Sequence, residues 1–450
     1  MHKVLFTLII TGIISNTTFA QQNEAVSRGF RAAVVKTDIT PQDAQWLRGY
    51  DPRQSTGILD RLYHRIVALD DGKNQFFLIS SDLLGIPMPE YDRMISLVQQ
   101  QLGIGPEHFW WSATHTHSAP QVAPHFKGIP FPSMANRSKL ASAHEIDTVY
   151  TGMLEKKLIE GIKEAREKLS AARFGVGWGF SQANINRRAI DVDGKASLGL
   201  NPDGPVDRRI GVIKIDHEDG APMVVIANYP IHGTVLGKQS TMISGDAPGV
   251  ASEYVEQEIG APVLFVNGAA GNLAPIYSVY PNERAGHLRE FRRLLGNKII
   301  DAYSKISSTV DEITLMVGSV TVETPRRADL GWSADLSKYE STKNGIPMVK
   351  LPIRFLKINE DVAIWSAPVE MFCEISNEIR ERSPFPFTFY FGYTNGSLGY
   401  LPAASAWPQA GYEPSVSPFT PAVEKDLTES VLGYLHGELR APAPRTNSLR

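Results

Sequence analysis

Two histidines stand two positions apart directly after an apolar segment. Residues 109–113, with the sequence Phe-Trp-Trp-Ser-Ala, lead into His115 and His117. In an extended chain, side chains two positions apart lie on the same side, so we expect both imidazoles to face one point. A histidine pair at a strand end is a common way to present nitrogen ligands to a divalent metal. Such pairs also occur as structural or surface histidines, so the motif requires further ligands.

Two more apolar segments lead to a side chain that can bind a metal. Residues 223–228 are followed by His232, and residues 362–366 are followed by Glu370. Taken singly, His232 is typical of a hydrogen-bonded core histidine and Glu370 of a solvated carboxylate. Ligand sites of open α/β sheets, however, collect at the carboxyl ends of strands, so we expect both side chains to meet His115. Two imidazoles, a carboxylate and an open position suit zinc, and the sequence therefore predicts a Zn²⁺ site.

The elements that position these residues are apolar, β-branched segments alternating with helical patterns, which predicts an α/β fold with buried strands. The predicted strands are residues 76–80, 109–113, 223–228, 263–266, 362–366 and 388–391. The predicted helices are residues 91–102, 147–169, 247–259, 288–305 and 422–436. Three stretches rich in glycine, proline and polar residues are predicted to be long surface loops, namely residues 120–143, 188–207 and 323–348.

The two ends of the chain differ from the rest. Residues 1–20 combine a basic start, an apolar run and a small-residue exit, which predicts a secretory signal peptide cut after Ala20. That run is shorter than the roughly 20 apolar residues needed to cross a bilayer, so we expect no transmembrane segment and a secreted or periplasmic protein.

We expect one catalytic domain at residues 21–440 and a disordered tail at 441–450. The net charge of -3 argues against a nucleic-acid partner.

These motifs resemble those of the neutral, or non-lysosomal, ceramidases, which are zinc amidases that cleave the N-acyl bond of ceramide. The matching stretches follow the family's order through most of the mature chain: residues 36–41, 57–65, 80–83, 114–118, 184–188, 232, 244–246, 271–275, 368–370 and 392–395. The resemblance implies an α/β fold with a multilayer mixed sheet and flanking helices, as in the family's catalytic domain.

The resemblance also implies roles for individual residues. The metal ligands that it implies are His115, His232, Glu370 and Tyr400. The catalytic residues that it implies are His117, beside the metal or at the substrate, Arg187, lining the pocket, and Tyr412, which helps to hold the oxyanion. Tyr412 follows Tyr400 by twelve positions, which is the family's spacing between its ligand tyrosine and its oxyanion tyrosine.

The chain departs from the family pattern at two points. Where the family has Gly-Asp-Val-Ser-Pro around its serine nucleophile, residues 271–275 read Gly-Asn-Leu-Ala-Pro. The methyl group of Ala274 cannot attack a carbonyl carbon. In addition, we expect no counterpart of the family's C-terminal immunoglobulin-like domain.

The leading hypothesis is therefore a secreted zinc-dependent hydrolase that cleaves an N-acyl amide, in a lipid or a related compound, through metal-activated water. His117 would act as general acid or base, and Tyr412 and Arg187 would stabilise developing negative charge. Asn272 or Asn267 would bind on the substrate side, orienting a water in the space that Ala274 leaves.

Two alternatives stay open. One keeps the zinc site for a glycan or another polar carboxylated substrate, cleaved by hydrolysis or elimination. The other is an inactive binding protein that retains the metal. An apolar tunnel favours the lipid substrate, a polar cleft with arginine, asparagine and tryptophan side chains favours the glycan, and a filled pocket favours the binding protein.

Overall fold

The computed structural model describes residues 29–51, 53–122, 148–277 and 287–437. Its strands are β1 Arg31–Asp38, β2 Trp46–Leu47, β3 Arg53–Gln54, β4 Gly57–Ile58, β5 Tyr63–Asp70, β6 Gln75–Ser81, β7 Phe109–Ala113, β8 Ser170–Phe180, β9 Asn184–Ile190, β10 Ala196–Asn201, β11 Arg209–His217, β12 Pro222–Tyr229, β13 Met242–Ile243, β14 Val263–Asn267, β15 Leu273–Pro275, β16 Leu315–Pro325, β17 Glu340–Lys343, β18 Ile346–Ile358, β19 Val362–Ser366, β20 Glu370–Met371, β21 Phe387–Phe391 and β22 Tyr400–Leu401.

The helices lie between these strands along the chain. The α-helices are α1 Met88–Leu102, α2 Thr148–Glu167, α3 Asp246–Ile259, α4 Asn297–Lys305, α5 Cys373–Arg382, α6 Tyr412–Val416 and α7 Val423–Leu435. Short 3₁₀ segments occupy Pro106–His108, Leu288–Glu290, Ala334–Tyr339 and Ala404–Ala406, and a π-helical turn occupies Arg292–Gly296.

Two large mixed sheets form the centre of the molecule. The eight-stranded sheet has the order β14-β12-β11-β8-β1-β5-β6-β7, and the five-stranded sheet has the order β16-β18-β19-β21 with β17 paired to β18. Most neighbours are antiparallel, but β6 and β7, β12 and β14, and β19 and β21 run parallel. Smaller pairs, among them β9 with β10 and β15, surround the two sheets.

Alternation of apolar side chains along the strands builds the layers. In β5, Val67 and Leu69 join the core between the two sheets, together with Ile364 of β19, whereas Ile66 and Ala68 belong to the core on the opposite face. Because strand side chains alternate between faces, both faces of each sheet are buried. Helices cover the outer faces, with α2 on β1 and β5, α3 on β14, α4 on β8 and β11, and α7 on β16. The predicted multilayer α/β fold is confirmed.

The predicted elements compare with the structure as follows. All six predicted strands are present, with ends that agree within a residue or two. The helix predicted at 288–305 is present over that whole stretch, but it divides into 3₁₀, π and α segments. The loop predicted at 188–207 is wrong, because β9 continues into it and β10 pairs with β9. The loop predicted at 323–348 is also wrong, because β16, β17 and β18 pair across it.

Some predictions fall on residues that the structure does not describe. These are the signal peptide at 1–20, most of the loop at 120–143 and the tail at 441–450. Within the described ranges, no helix is both long and apolar enough to span a bilayer.

The larger sheet curls, which brings its two ends together. Strand β14, at one end of the order, contacts β6 and β7 at the other end. The Ser80 hydroxyl of β6 donates a hydrogen bond to the Phe265 carbonyl of β14, which joins these ends across the curl. The segment after β7 therefore lies close to the segment after β12, which is the parallel neighbour of β14.

A buried histidine makes the stability of this fold sensitive to acid. The His64 ring is fully buried, and its nitrogens contact Ser81 Oγ at 2.6 Å and the Leu154 carbonyl at 3.3 Å. Burial lowers the pKa of His64 from 6.5 to about 3. Between these values the unfolded chain binds a proton that the folded protein does not, so the free energy of unfolding should fall as the pH falls.

We expect the His64→Gln variant to lose less stability than the wild type on acidification, because glutamine does not titrate. Urea unfolding of both proteins at neutral pH and at about pH 4.5 measures the difference. Equal losses of unfolding free energy in the two proteins would contradict the role given to His64.

Candidate functional site

Two loops meet at the curled end of the larger sheet, one after β7 and one after β12. The Gly233 amide donates to the His115 carbonyl at 3.1 Å, and the His117 amide donates to the Gly233 carbonyl at 2.9 Å. A side chain at Gly233 would place its Cβ 2.6 Å from the Thr116 Cα, so only glycine allows this approach. The two backbone bonds thus hold His232 beside the histidine pair.

The chain between the paired histidines is not extended, contrary to expectation. His115 has a φ of 66°, in the left-handed region that residues other than glycine seldom adopt. The His115 and His117 rings are nevertheless directed towards each other, with Nε2 atoms 3.4 Å apart and ring planes at 88°. The prediction that both imidazoles face one point is therefore correct, but a turn at His115 achieves it rather than strand alternation.

The three imidazoles form a group that can hold a metal ion. One ring nitrogen from each of His115, His117 and His232 lies within 4.8 Å of the other two. His115 Nδ1 contacts the Leu84 carbonyl at 2.6 Å, and His232 Nδ1 contacts the Leu273 carbonyl at 2.9 Å. A carbonyl accepts but does not donate, so both Nδ1 atoms carry the proton and both Nε2 atoms present a lone pair.

A carboxylate completes the group from the smaller sheet's side. Glu370 Oε2 lies 3.3 Å from His115 Nε2 and 3.4 Å from His232 Nε2. Its strand β20 pairs in parallel with β22, which sets Glu370 directly beside Tyr400. The Glu370 amide also donates to the Gly399 carbonyl at 2.9 Å. The predicted convergence of His115, His232 and Glu370 is present in the structure, with Tyr400 adjacent.

A buried ion-pair network lies next to Tyr400. Arg187 donates through Nη2 to the Tyr400 hydroxyl at 3.1 Å and through Nε to the Glu413 carboxylate at 3.0 Å. Arg188 donates to the other oxygen of Glu413 at 2.6 Å. Glu413 lies in α6, directly after Tyr412, whose ring packs edge-on against Tyr400 with centroids 5.5 Å apart. Glu413 therefore fixes Arg187 and the start of α6 together.

The electrostatics of the group favour neutral imidazoles at His117 and His232 beside an anion. Burial, assisted by Arg187 and His115, lowers the pKa of His232 to about 3. Burial and the neighbouring histidines likewise hold the pKa of His117 well below its ordinary value. Burial alone would raise the pKa of Glu370, but His115 and His232 outweigh it and keep that pKa well below the usual range. At neutral pH His117 and His232 therefore present lone pairs beside the negative charge of Glu370, which suits a cation.

Unsatisfied polar atoms support the same conclusion. His232 Nε2 and Glu370 Oε2 are buried without a hydrogen-bond partner in the described part of the chain. Buried polar atoms without partners are rare in folded proteins and often mark an ion or a water. Imidazole nitrogens and a carboxylate oxygen are the ligands that Zn²⁺ prefers, so the residues present fit this metal.

The three residues predicted on the substrate side are buried beneath the group. Asn267 donates through Nδ2 to the carbonyls of Thr114 and Ile231, the residues that precede His115 and His232. Asn272 donates to the Glu374 carboxylate and accepts from the Cys373 amide. Ala274 is 2% exposed and lies in β15. The structure thus shows both amides bonded to protein groups, and a substrate contact for these residues stays a prediction.

Three further residues around the group were not singled out from the sequence. Tyr50 packs its ring against His117, with centroids 5.0 Å apart, and Tyr393 packs against His115 at 4.1 Å. Glu413 forms the ion pairs described above. Tyr393 lies in the stretch 392–395 that resembles the family, and Glu413 follows Tyr412, so the position of each in the sequence could have identified it as a site residue. Nothing in the sequence identified Tyr50, because its loop reaches His117 only in the folded chain.

Comparison with known proteins identifies relatives by sequence. Neutral ceramidase B of Dictyostelium discoideum is 25% identical over 305 residues, which is 63% of this chain and 40% of that protein. Neutral ceramidase A of the same organism is 26% identical over 233 residues, which is 49% of this chain and 31% of that protein. The chain thus matches less than half the length of either relative.

Solved structures and a family model give a consistent answer. A structure described as ceramidase complexed with C2 has a TM-score of 0.72 at 17% identity, covering 93% of this chain and 77% of that one. Neutral ceramidase from Pseudomonas aeruginosa has a TM-score of 0.71 at 18% identity, covering 92% and 76%. Residues 30–270, over half of the chain, match the model of the neutral/alkaline non-lysosomal ceramidase N-terminal domain, and the chain therefore belongs to this family.

Proposed function

We propose that the protein is a secreted, zinc-dependent hydrolase that cleaves an N-acyl amide bond. The observation that carries the proposal is the convergence within 4.8 Å of nitrogens from His115, His117 and His232. Membership in the ceramidase family supports hydrolysis and favours a lipid amide as substrate. The export signal predicted at residues 1–20 supports secretion.

In this proposal His115, His232 and Glu370 hold the metal, and Tyr400 is the fourth ligand. The Arg187 guanidinium, which donates to the Tyr400 hydroxyl at 3.1 Å, favours negative charge on that oxygen, whereas burial and the Glu370 carboxylate outweigh it and raise the pKa of Tyr400. Zinc bound here would polarise a substrate carbonyl and lower the pKa of adjacent water from about 15.7 to about 7. That chemistry would allow hydrolysis without the serine that Ala274 replaces.

The chain's own residues then orient the substrate and move protons. His117 is neutral, and its Nε2 atom faces the group, so it is placed to take a proton from water and return it to the leaving nitrogen. Gly49 leaves room for this ring, because a Cβ at that position would lie 2.5 Å from His117 Nδ1. Tyr412, next to Tyr400, is placed to donate to the oxygen that becomes negatively charged.

A second candidate function rests on the polarity of the surroundings. The Tyr50 and Tyr393 rings pack against the imidazoles. Tyr400, which lies opposite Glu370 in the strand pair, adds another hydroxyl and is bonded to the Arg187 guanidinium. Such groups also suit a carboxylated substrate such as an acidic glycan. The same zinc site would then serve hydrolysis or elimination.

The test of the proposal combines metal analysis with activity on two substrate classes. Purified protein should contain one zinc per chain and should release fatty acid from ceramide or a related N-acyl lipid. Activity on acidic oligosaccharides, without activity on N-acyl lipids, would support the second candidate. Protein without zinc and without either activity would contradict both and favour a binding role.

Substitution of Ala274 by serine tests whether the site catalyses its reaction without a serine nucleophile. Ala274 is buried in β15 and directly follows Leu273, whose carbonyl bonds to His232, so an added hydroxyl would compete with water next to the segment that orients this histidine. We expect Ala274→Ser to lower activity on the native substrate by roughly tenfold, because a displaced group misaligns the reaction. The steady-state kinetics of both proteins on ceramide and on the native substrate measure this effect.

The matched control is Ala302→Ser, which adds the same hydroxyl at another position that is 2% exposed, in α4 away from the histidines. Its activity should stay at the wild-type level once both variants are shown to be folded. A large gain on ceramide by Ala274→Ser, with no loss elsewhere, would mean that the chain is a ceramidase lacking only its nucleophile.

A further inference from the structure

The hydroxyl group of Tyr393 is buried without a hydrogen-bond partner among the residues that the structure describes. The residue is 5% exposed, and no described residue forms a hydrogen bond with its hydroxyl. The nearby Tyr390 shows the usual arrangement, with its hydroxyl facing the carbonyls of Ala367 and Val369 at 3.4 Å each. Because a buried hydroxyl is rarely left unpaired, the Tyr393 hydroxyl calls for a partner that binds at this place.

The position of the ring indicates where that partner would be. The Tyr393 ring packs on the His115 imidazole, with centroids 4.1 Å apart and planes at 32°, and lies 6.3 Å from the His232 ring. Tyr393 is thus in direct contact with the histidine group. The proposed metal site uses imidazole nitrogens and the Glu370 carboxylate, and it assigns no role to the Tyr393 hydroxyl.

The backbone holds Tyr393 in a conformation that is unfavourable for its residue type. Its φ is 53°, in the left-handed region. The Ala113 amide donates to the Tyr393 carbonyl at 3.1 Å, and Asn395 Oδ1 accepts from the Trp111 amide at 2.9 Å. These bonds join the segment to β7, which leads directly into His115. Strained backbone that the surroundings enforce in this way is concentrated at functional sites.

The chemistry of the hydroxyl indicates what kind of partner it can bind. A phenol hydroxyl has one hydrogen to donate, so the group is equipped to bind an oxygen that carries negative charge.

We propose that the Tyr393 hydroxyl donates a hydrogen bond to an oxygen atom of the ligand or substrate bound at the His115, His117 and His232 group. The inference rests on the proposed function, because it places the substrate's carbonyl or carboxylate oxygen at that group. The Tyr393 hydroxyl would be a donor on the His115 side of the group. Tyr412, the other proposed donor, packs against Tyr400 instead.

Removal of the hydroxyl alone tests this role. The zinc-loaded wild type, Tyr393→Phe and Tyr390→Phe are titrated with acetohydroxamate, a small oxygen ligand, by calorimetry. We expect Tyr393→Phe to bind it about tenfold more weakly, the effect of one lost hydrogen bond. Its zinc content should equal that of the wild type. Tyr390→Phe, the matched control, should bind the ligand with wild-type affinity, because the Tyr390 hydroxyl faces backbone carbonyls.

Three results would overturn the inference. Equal affinity in the wild type and Tyr393→Phe would show that the hydroxyl does not touch the ligand. A lower melting temperature with unchanged affinity would show a structural role. Loss of zinc from Tyr393→Phe would make the hydroxyl a metal ligand instead of a donor to substrate.

Failure of the proposed function has a different signature, which is a wild-type protein that binds no zinc. In that case the same three proteins are titrated with acetate, whose carboxylate needs no metal to accept a hydrogen bond. Weaker acetate binding by Tyr393→Phe alone would still support the role given to this hydroxyl, and equal binding would contradict it.

Discussion

Replacing His232 by alanine is expected to leave a folded protein that no longer holds zinc and has lost activity by on the order of a thousandfold or more. The His232 ring is fully buried, and its Nδ1 is bonded to the Leu273 carbonyl, so its Nε2 lone pair is directed at the group before any metal binds. Without His232, the proposed ligand set falls to His115, Glu370 and Tyr400 and loses one of its two nitrogen donors, so we expect the ion to be held too weakly to survive dialysis.

The measurement is the zinc content of dialysed protein, followed by activity with and without added zinc. His115→Ala should behave in the same way, because His115 Nε2 is directed by an equivalent bond from Nδ1 to the Leu84 carbonyl. His64→Gln is the matched control, since His64 is also fully buried but contacts Ser81 and Leu154 away from the group. Wild-type zinc content in both alanine variants would show that the metal binds elsewhere.

Replacing Glu413 by alanine is expected to reduce the free energy of unfolding by about 3–5 kcal/mol, the cost of leaving buried charges without their partner. Glu413 is 1% exposed and accepts hydrogen bonds from both Arg187 and Arg188, which are themselves 7% and 4% exposed. Water cannot easily replace the lost carboxylate there. Activity should fall as well, because Arg187 also donates to the Tyr400 hydroxyl.

Chemical denaturation of Glu413→Ala against the wild type measures the loss of stability. The matched control is Glu429→Ala, which removes an exposed partner of Lys425, 3.8 Å away on α7, and should change stability by less than about 1 kcal/mol. Similar losses in the two variants would show that the buried network contributes no more than a surface pair. A stable Glu413→Ala protein with full activity would show that the ion pair between Glu413 and Arg187 is not needed for the function of the site.

The residue types and their order along the chain were sufficient to predict the fold class and the centre of the site. His115, His232 and Glu370 each follow an apolar segment rich in aromatic or β-branched residues, and such segments become buried strands because they have few polar groups to solvate. Strands of this kind end at a common edge, so the side chains beyond their ends could be expected to meet. The resemblance to a family of zinc amidases points to the same residues.

Elements whose stability comes from distant partners could not be predicted in this way. β9 and β10 contain glycine and polar residues and resemble a loop when considered alone. They are strands because β9 also pairs with β15, where Asn186 lies opposite Leu273. Register with a partner far along the chain is a tertiary property, because local composition does not specify which backbone groups will be available.

Only the tertiary structure decided how the site is finished. The carbonyls of Leu84 and Leu273 orient His115 and His232, and the left-handed turn at His115 brings His117 into the same group. The sequence by itself determined which side chains can bind a metal, because donor chemistry belongs to the residue. The curl of the larger sheet and the close approach at Gly233 determined which of them meet, because the distance between two side chains depends on the path of the whole backbone.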